Sequence, residues 1–264
     1  MKATGNAIVA ALGAIACAPL LDLAMVASAD ESSQPDLSGY WMITFGALPP
    51  RREPTPLERS LIERLPPGTV LLGDSGLPEF PPGEFGGLEV LEGALDAARR
   101  YDPEVQRSVA TTCQPPGIIY SMQGPFPIEI FQGSRLIVMK LEYFDLVRIV
   151  FMDETDHPDD WPLSVTGHSI GHWEGDTLVV DTARLQPATL LNNGLDHTEH
   201  VRLLERFRLS EDGSTLAVTQ EIEDPQVFTG RAARVLSLER GDGHVYPYAC
   251  DPSYGVAIET RDKQ

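Results

Sequence analysis

From residue 128 onward the chain alternates apolar and polar positions with a period of two, interrupted at short intervals by Gly, Asp and Ser. Side chains on a strand point to its two faces in turn, so this pattern predicts strands with one buried face. Ile128 to Phe131 and Arg135 to Leu141 flank Gln132-Gly133-Ser134, and Leu146 to Met152 follows Glu142-Tyr143-Phe144-Asp145. Gly167 to Thr182 reads as a hairpin. Val201 to Leu209 and Leu216 to Ile222 flank Ser210 to Ser214; Ala232 to Glu239 and Val245 to Ala249 flank Arg240 to Gly243. Asp36-Leu37-Ser38-Gly39-Tyr40-Trp41 supplies a turn and an aromatic strand start upstream. About eight strands without long helices between them predict a mainly β fold.

The leading architecture is an antiparallel up-and-down barrel, lipocalin-like and able to hold a ligand, with a two-sheet sandwich as the other option. The segment before it differs in character. Residues 49 to 87 carry nine prolines, from Pro49 to Pro82, with a short helical patch at Leu57 to Leu65. Leu88 to Arg100 and Pro103 to Ala110 have helical spacing, and Cys113 to Pro127 is again punctuated by Pro and Gly. Residues 30–127 therefore read as a first strand plus a Pro/Gly-rich, partly helical wrap, and 128–264 as the barrel, in one compact domain.

Residues 1–29 read as a signal peptide: Lys2, an apolar stretch, and Ala27-Ser28-Ala29 as a small-residue cleavage site. A lipoprotein signal ending at Cys17 is the minor alternative. Either way the mature chain is expected in the periplasm or outside the cell. Removing the signal removes Cys17 and leaves Cys113 and Cys250, an even number in an oxidising compartment, so a disulfide between them is expected. The net charge of −19 repels phosphate and argues against nucleic acid and anionic membrane surfaces as partners. No stable membrane insertion is expected once the signal is gone.

The richest stretch for chemistry is Gly167-His168-Ser169-Ile170-Gly171-His172-Trp173-Glu174-Gly175-Asp176-Thr177-Leu178-Val179-Val180-Asp181-Thr182. A two-residue loop at Glu174-Gly175 would pair His172 with Thr177, Ile170 with Val179 and His168 with Asp181. An imidazole opposite a carboxylate can serve as base or acid, the carboxylate fixing its tautomer. A three-residue loop would instead set His168 against Thr182, and a structural cross-strand bond is the plainer reading of the pair. Glu205 is the odd member of the apolar row Val201, Leu203, Phe207, Leu209. It reads either as a complementary catalytic carboxyl or as a structural one, facing Gln220 across a ladder or paired with Arg148.

The pieces Asp36 to Trp41, Cys113-Gln114-Pro115-Pro116-Gly117, Met152-Asp153 through His157-Pro158, Gly167 to Thr182 and Leu204-Glu205-Arg206-Phe207-Arg208 resemble a family of exported bacterial proteins. That family is marked by a GHSIG-x-WEGDTLVVDT signature. The resemblance spans most of the mature chain, implies export and transfers no activity; His197-Thr198 stands where such proteins carry His-Ser.

His157, His168, His172, His197 and His200 with Asp153, Asp156 and Asp181 raise the question of a metal. None lies in an HExxH or CxxC arrangement, and no metal site is assigned. A GxSxG elbow and phosphate-binding glycine loops are also missing, which argues against acyl-transfer and nucleotide chemistry. The residues thus lead to an exported, cofactor-independent enzyme moving protons on a small apolar or phenolic substrate held inside the barrel, of lyase, hydratase or isomerase type. Its expected catalytic residues are His168, Asp181 and Glu205, with His172, Tyr120, Tyr143 and Trp173 binding the substrate. A non-catalytic periplasmic binding protein for an apolar small molecule is the alternative, and metal-dependent hydrolysis a weaker third.

Overall fold

A computed structural model describes residues 34–44, 52–74, 80–101 and 113–251; the expected signal segment and the helix expected at Pro103 to Ala110 lie outside them. Among the described residues no helix is long and apolar enough to cross a membrane. Residues from Gln34 onward cluster as one compact unit.

The wall is a closed, mainly antiparallel barrel of nine strands. In chain order they are β1 (Gly39–Ile43), β4 (Ile128–Gln132), β5 (Leu136–Leu141), β6 (Leu146–Phe151), β7 (His168–Glu174), β8 (Thr177–Ala183), β11 (Arg202–Leu209), β12 (Thr215–Glu223) and β14 (Ala232–Gly241). Neighbours pair in that order and β1 pairs with β14, which closes the ring. The numbers left out belong to short strands outside the wall: β2 (Val70–Leu71), which extends the sheet beside the start of β14, β3 (Glu89–Val90), β9 (Ala188–Leu191), β10 (Leu195–His197) and β13 (Phe228–Thr229). Three α-helices, α1 (Pro56–Ile62), α2 (Glu92–Arg99) and α3 (Ile118–Ser121), and a 3-10 turn at Tyr143–Asp145 complete the described elements.

Two details refine the expected antiparallel barrel of about eight strands. β1 is a full wall strand, which makes nine. β6 and β7 run parallel, Val150 beside Ser169 and Phe151 beside Ile170. A parallel neighbour needs a crossover, and residues 152–167 make it along the outside of the wall. Gly171 permits the close approach, since a Cβ there would stand 2.7 Å from Val150 Cγ1 and 2.8 Å from Met152 Sδ. The strand expected at Val245 to Ala249 is irregular. Pro247 cannot donate to a ladder, and the flanking amides bond to carboxylates instead, Tyr246 to Glu142 and Tyr248 to Asp145.

The strand directions divide the barrel ends sharply. Tight turns join β4 to β5, β7 to β8 and β11 to β12 at one end. The long connections β1 to β4, β8 to β11 and β12 to β14 all leave from the other. That elaborated end gathers α3, the β9–β10 hairpin and β2. Apolar side chains from alternate positions, among them Trp41, Ile130, Met139, Leu146, Phe207 and Leu236, fill the interior.

β12 is buried on both faces because α1 covers its outer side. Thr55 and Glu58 form a capping box at the start of α1, and Glu58 also takes a bidentate pair from Arg52. Burial pushes the Glu58 carboxyl up, but these bonds outweigh it and hold it below the usual carboxylate range. Cys113 and Cys250 form a disulfide, tying the segment before α3 to the chain after β14. A disulfide is what a compartment outside the cytoplasm allows.

Candidate functional site

The β7–β8 hairpin turns one residue later than its sequence suggests. Gly175 takes φ +64° as the first residue of a Gly175-Asp176 loop, the position where a left-handed backbone is needed. The ladder therefore slides by two: His168 lies opposite Ala183, Ile170 opposite Asp181 and His172 opposite Val179. A slip of two keeps every side chain on its expected face but parts His168 from its expected partner.

Alternation then decides which groups meet. Ser169 and Thr182 point into the barrel, where Arg148 donates to both, Nε to Ser169 at 3.0 Å and Nη2 to Thr182 at 2.6 Å. Their neighbours His168 and Asp181 consequently stand on the outer face. Glu205 stays inside: Arg148 Nη2 lies 2.5 Å from its Oε2 and Gln220 donates to its Oε1 at 3.0 Å. Both structural partners expected for Glu205 are present together. The expected trio of His168, Asp181 and Glu205 is divided by the barrel wall.

The expected substrate-binding residues are also dispersed. His172 is exposed on the outer face, 3.5 Å from Glu174. Trp173 alternates inward with Gly171, and Tyr120 is buried on α3. Tyr143 belongs to an aromatic cluster, stacked on Phe126 with centroids 4.7 Å apart and edge-on to Tyr248.

What surrounds His168 comes from the crossover at 152–167. His157 Nδ1 lies 2.8 Å from His168 Nδ1. Glu154 Oε2 lies 3.1 Å from His168 Nε2, turned off the line of a straight hydrogen bond, and Asp181 Oδ1 lies 3.7 Å from His157 Nε2. Phe151 stacks on the His168 ring at 5.0 Å, and Trp161 stands over it at 4.4 Å. Arg184 Nε donates to the Trp161 carbonyl and fixes that part of the loop to the end of β8. The His168 imidazole is buried and that of His157 half-buried, while the carboxylates at either end, Glu154 and Asp181, reach solvent.

Proton counting gives this row its chemistry. The central bond between two Nδ1 atoms needs one proton, and each outer nitrogen needs one to face its carboxylate. Four nitrogens thus require three protons, one more than two neutral rings carry. The row is complete with a single added proton, which can sit toward either end. Burial holds the His168 ring below the ordinary histidine range, with the His157 charge adding to the effect and Glu154 opposing it.

Glu154 is the member that sequence reasoning missed; His157 entered only as a metal candidate and within the family-like piece Met152 to Pro158, and Trp161 only as one of several aromatics able to line a pocket. Their positions follow from a non-periodic loop folding back on β7, for which the sequence holds no spacing signal beyond the clustered charges of Asp153 to Asp160. Among the described residues no three His, Cys, Asp or Glu side chains are arranged to hold a metal ion.

His197, on β10 of the elaborated end, is a separate feature. Its Nδ1 donates to the Thr198 carbonyl at 3.1 Å, so its Nε2 carries a lone pair, buried and without a partner among the described residues. Burial keeps this ring below the ordinary histidine range.

No protein-family profile and no curated protein matches the chain. Among solved structures it is similar to a point mutant of the fluorescent protein UnaG. The two are 16% identical over 45% of this chain and 73% of that one, with a TM-score of 0.27. A likeness of that size carries no argument, and the barrel rests on its own strand pairings.

Proposed function

We propose that the chain is an exported, periplasmic or secreted enzyme that moves a proton on a small apolar or phenolic substrate at the outer wall, beside β7 and β8. Lyase, hydratase and isomerase reactions all fit this step. One observation carries the reading: a buried imidazole and a half-buried one share a hydrogen bond, 2.8 Å between their Nδ1 atoms, with solvent-reaching carboxylates 3.1 and 3.7 Å from their outer nitrogens. A merely structural histidine needs one partner, whereas here two imidazoles face each other and a carboxylate stands beside the far nitrogen of each.

Asp181 meets the substrate and takes or gives its proton. His157 and then His168 pass the added proton along the row, and Glu154 exchanges it with water. Protons and charge balance because each passage delivers one proton and leaves both rings neutral; the proton enters each ring at one nitrogen and leaves from the other, so both tautomers are inverted and a return passage resets them. Trp161, Phe151 and the half-buried Ile170 opposite Asp181 provide an apolar flank against which an aromatic ring can rest. Glu205 has no part in the step, being committed to Arg148 and Gln220 on the other side of the wall.

Exchange of the α-protons of phenylacetone for deuterium, followed by NMR, tests this directly. The wild-type protein should accelerate exchange, and Asp181→Asn and His157→Gln should each reduce the acceleration about 100-fold, as for loss of a general acid or base. Their melting temperatures should stay close to wild type. Unchanged exchange in Asp181→Asn removes the assignment. Saturable binding of the ketone with no exchange would make the chain a non-catalytic carrier.

A further inference from the structure

The hairpin of β9 and β10 carries a carboxylate that the outer-wall chemistry does not use. Leu195 and His197 are buried, so alternation along β10 turns the Asp196 side chain to the opposite, outward side. A bulge sets its aim. Leu195 pairs with Leu191 but Asp196 with Thr189, so Leu190 is passed over in the ladder and its carbonyl accepts from Arg234 instead. Bulges re-aim a side chain in this way, and they recur beside active sites. Helix α2 packs against β10, and Tyr101, just past that helix, lies on Gly194 at the hairpin turn, where φ of +94° and the missing side chain allow the approach.

Between this hairpin and α2 lies an open cleft of about 360 Å³, lined by Ala94 and Ala97 of the helix, by Pro187, Leu195 and Val227, and by Asp196. That volume falls at the small end of the range for ligand sites, roughly 300–1,000 Å³. Asp196 is the one carboxylate among the described lining residues, and no lysine or arginine is among them. His197, also in the lining, is kept neutral by burial, which holds its ring below the ordinary histidine range. Asp196 makes no hydrogen bond or ion pair among the described residues. It reaches solvent, yet the atoms crowding it strip part of its hydration and raise its carboxyl above the usual carboxylate range, with no hydrogen bond or cation opposing the shift. Glu58 shows the ordinary remedy, its burial offset by Arg52 and Thr55. A carboxylate left without one, on the wall of a cleft, is a cost that calls for a partner.

We infer that this cleft binds a small organic ammonium ion with a compact apolar body, its ammonium group paired with Asp196. The ligand supplies the counter-charge that the chain does not, and the walls of Ala94, Ala97, Leu195 and Val227 take the apolar body. The methyl groups at 94 and 97 leave the space that longer side chains on α2 would fill. A neutral molecule leaves Asp196 uncompensated, and an anion meets like charge both there and from a chain of net charge −19. A metal ion finds too few ligands, since among the described residues no three His, Cys, Asp or Glu side chains are arranged to hold one. The cleft shares no residue with the row at His157 and His168.

Three probes with one ring and different head groups, cyclohexylamine, cyclohexanol and cyclohexanecarboxylate, test the inference by calorimetric titration of the full chain at neutral pH. Cyclohexylamine, an ammonium ion there, should bind saturably and about tenfold or more tightly than the other two. Asp196→Asn, at an outward position, removes the charge at nearly constant shape and should weaken cyclohexylamine about tenfold or more. Ala97→Phe, at an exposed helix position, leaves Asp196 in place but fills the cleft, and should also weaken it. Intermolecular NOEs from the cyclohexyl ring to the Ala94 and Ala97 methyls in the wild-type protein locate the probe without either variant. Cyclohexylamine failing to bind, cyclohexanol or the carboxylate binding as tightly, or a probe without contact to the two methyls would each overturn the inference. Binding unchanged in Asp196→Asn, the mark of diffuse attraction to an acidic surface, or unchanged in Ala97→Phe would do the same. None of these readouts depends on proton exchange at Asp181, so either site can fail alone.

Discussion

At the scale of single residues, the pairing of His157 with His168 matters through the energetic cost of charging an enclosed ring. Burial disfavours the imidazolium form of His168, so its folded pKa lies below the ordinary 6.5. Above that pH the ring is neutral in both folded and unfolded chains. Below it the unfolded chain binds a proton that the folded one resists, so stability falls as pH drops from about 6.5 toward the folded value. Denaturant midpoints at pH 7.5 and 5.5 should therefore separate more for wild type than for His168→Gln, whose amide does not titrate. Equal separations would mean that His168 is not held neutral. Glu205 shows the opposite case. Its partners were legible because Leu209 and Leu216 flank a turn-forming segment, and counting back from them sets Glu205 against Gln220. Its possible pairing with Arg148 followed from the alternation in Val147-Arg148-Ile149.

At the scale of elements, strands with strict alternation were readable and their exact partners less so. The β7–β8 hairpin illustrates the limit. The residues of each face came out as expected, but the location of Gly175 within the turn decides whether His168 meets Asp181 or Ala183. A positive φ at the first loop position, not the second, moved the ladder by two. The parallel β6–β7 neighbours were not legible, because nothing periodic in residues 152–167 announces a crossover in place of a hairpin. That same segment brings Glu154, His157 and Trp161 to His168, so the missed topology and the missed site have one cause. The short strands β9, β10 and β13 likewise have too few residues for alternation to register.

At the scale of the whole molecule, two long-range features organise the chain: closure of the barrel by β1 and β14, and the Cys113–Cys250 crosslink across 137 residues. The crosslink was legible from counting alone, since removal of an expected signal leaves two cysteines. Loop closure of that length stabilises by roughly 5 kcal/mol in the chain-entropy account. Cys113→Ser should accordingly lower unfolding free energy by up to about that amount, read by denaturant titration. A loss well under about 1 kcal/mol would show that the wrap is anchored without it. The functional account rests on a different long-range meeting, that of the crossover loop with β7 and β8. Its most direct test is 15N NMR of the His157 and His168 rings across pH. The account predicts that at the pH where the pair holds one added proton, three of the four ring nitrogens are protonated, and that Asp181→Asn perturbs His157 more than His168. Two rings that titrate independently, with no proton shared between their Nδ1 atoms, would contradict it.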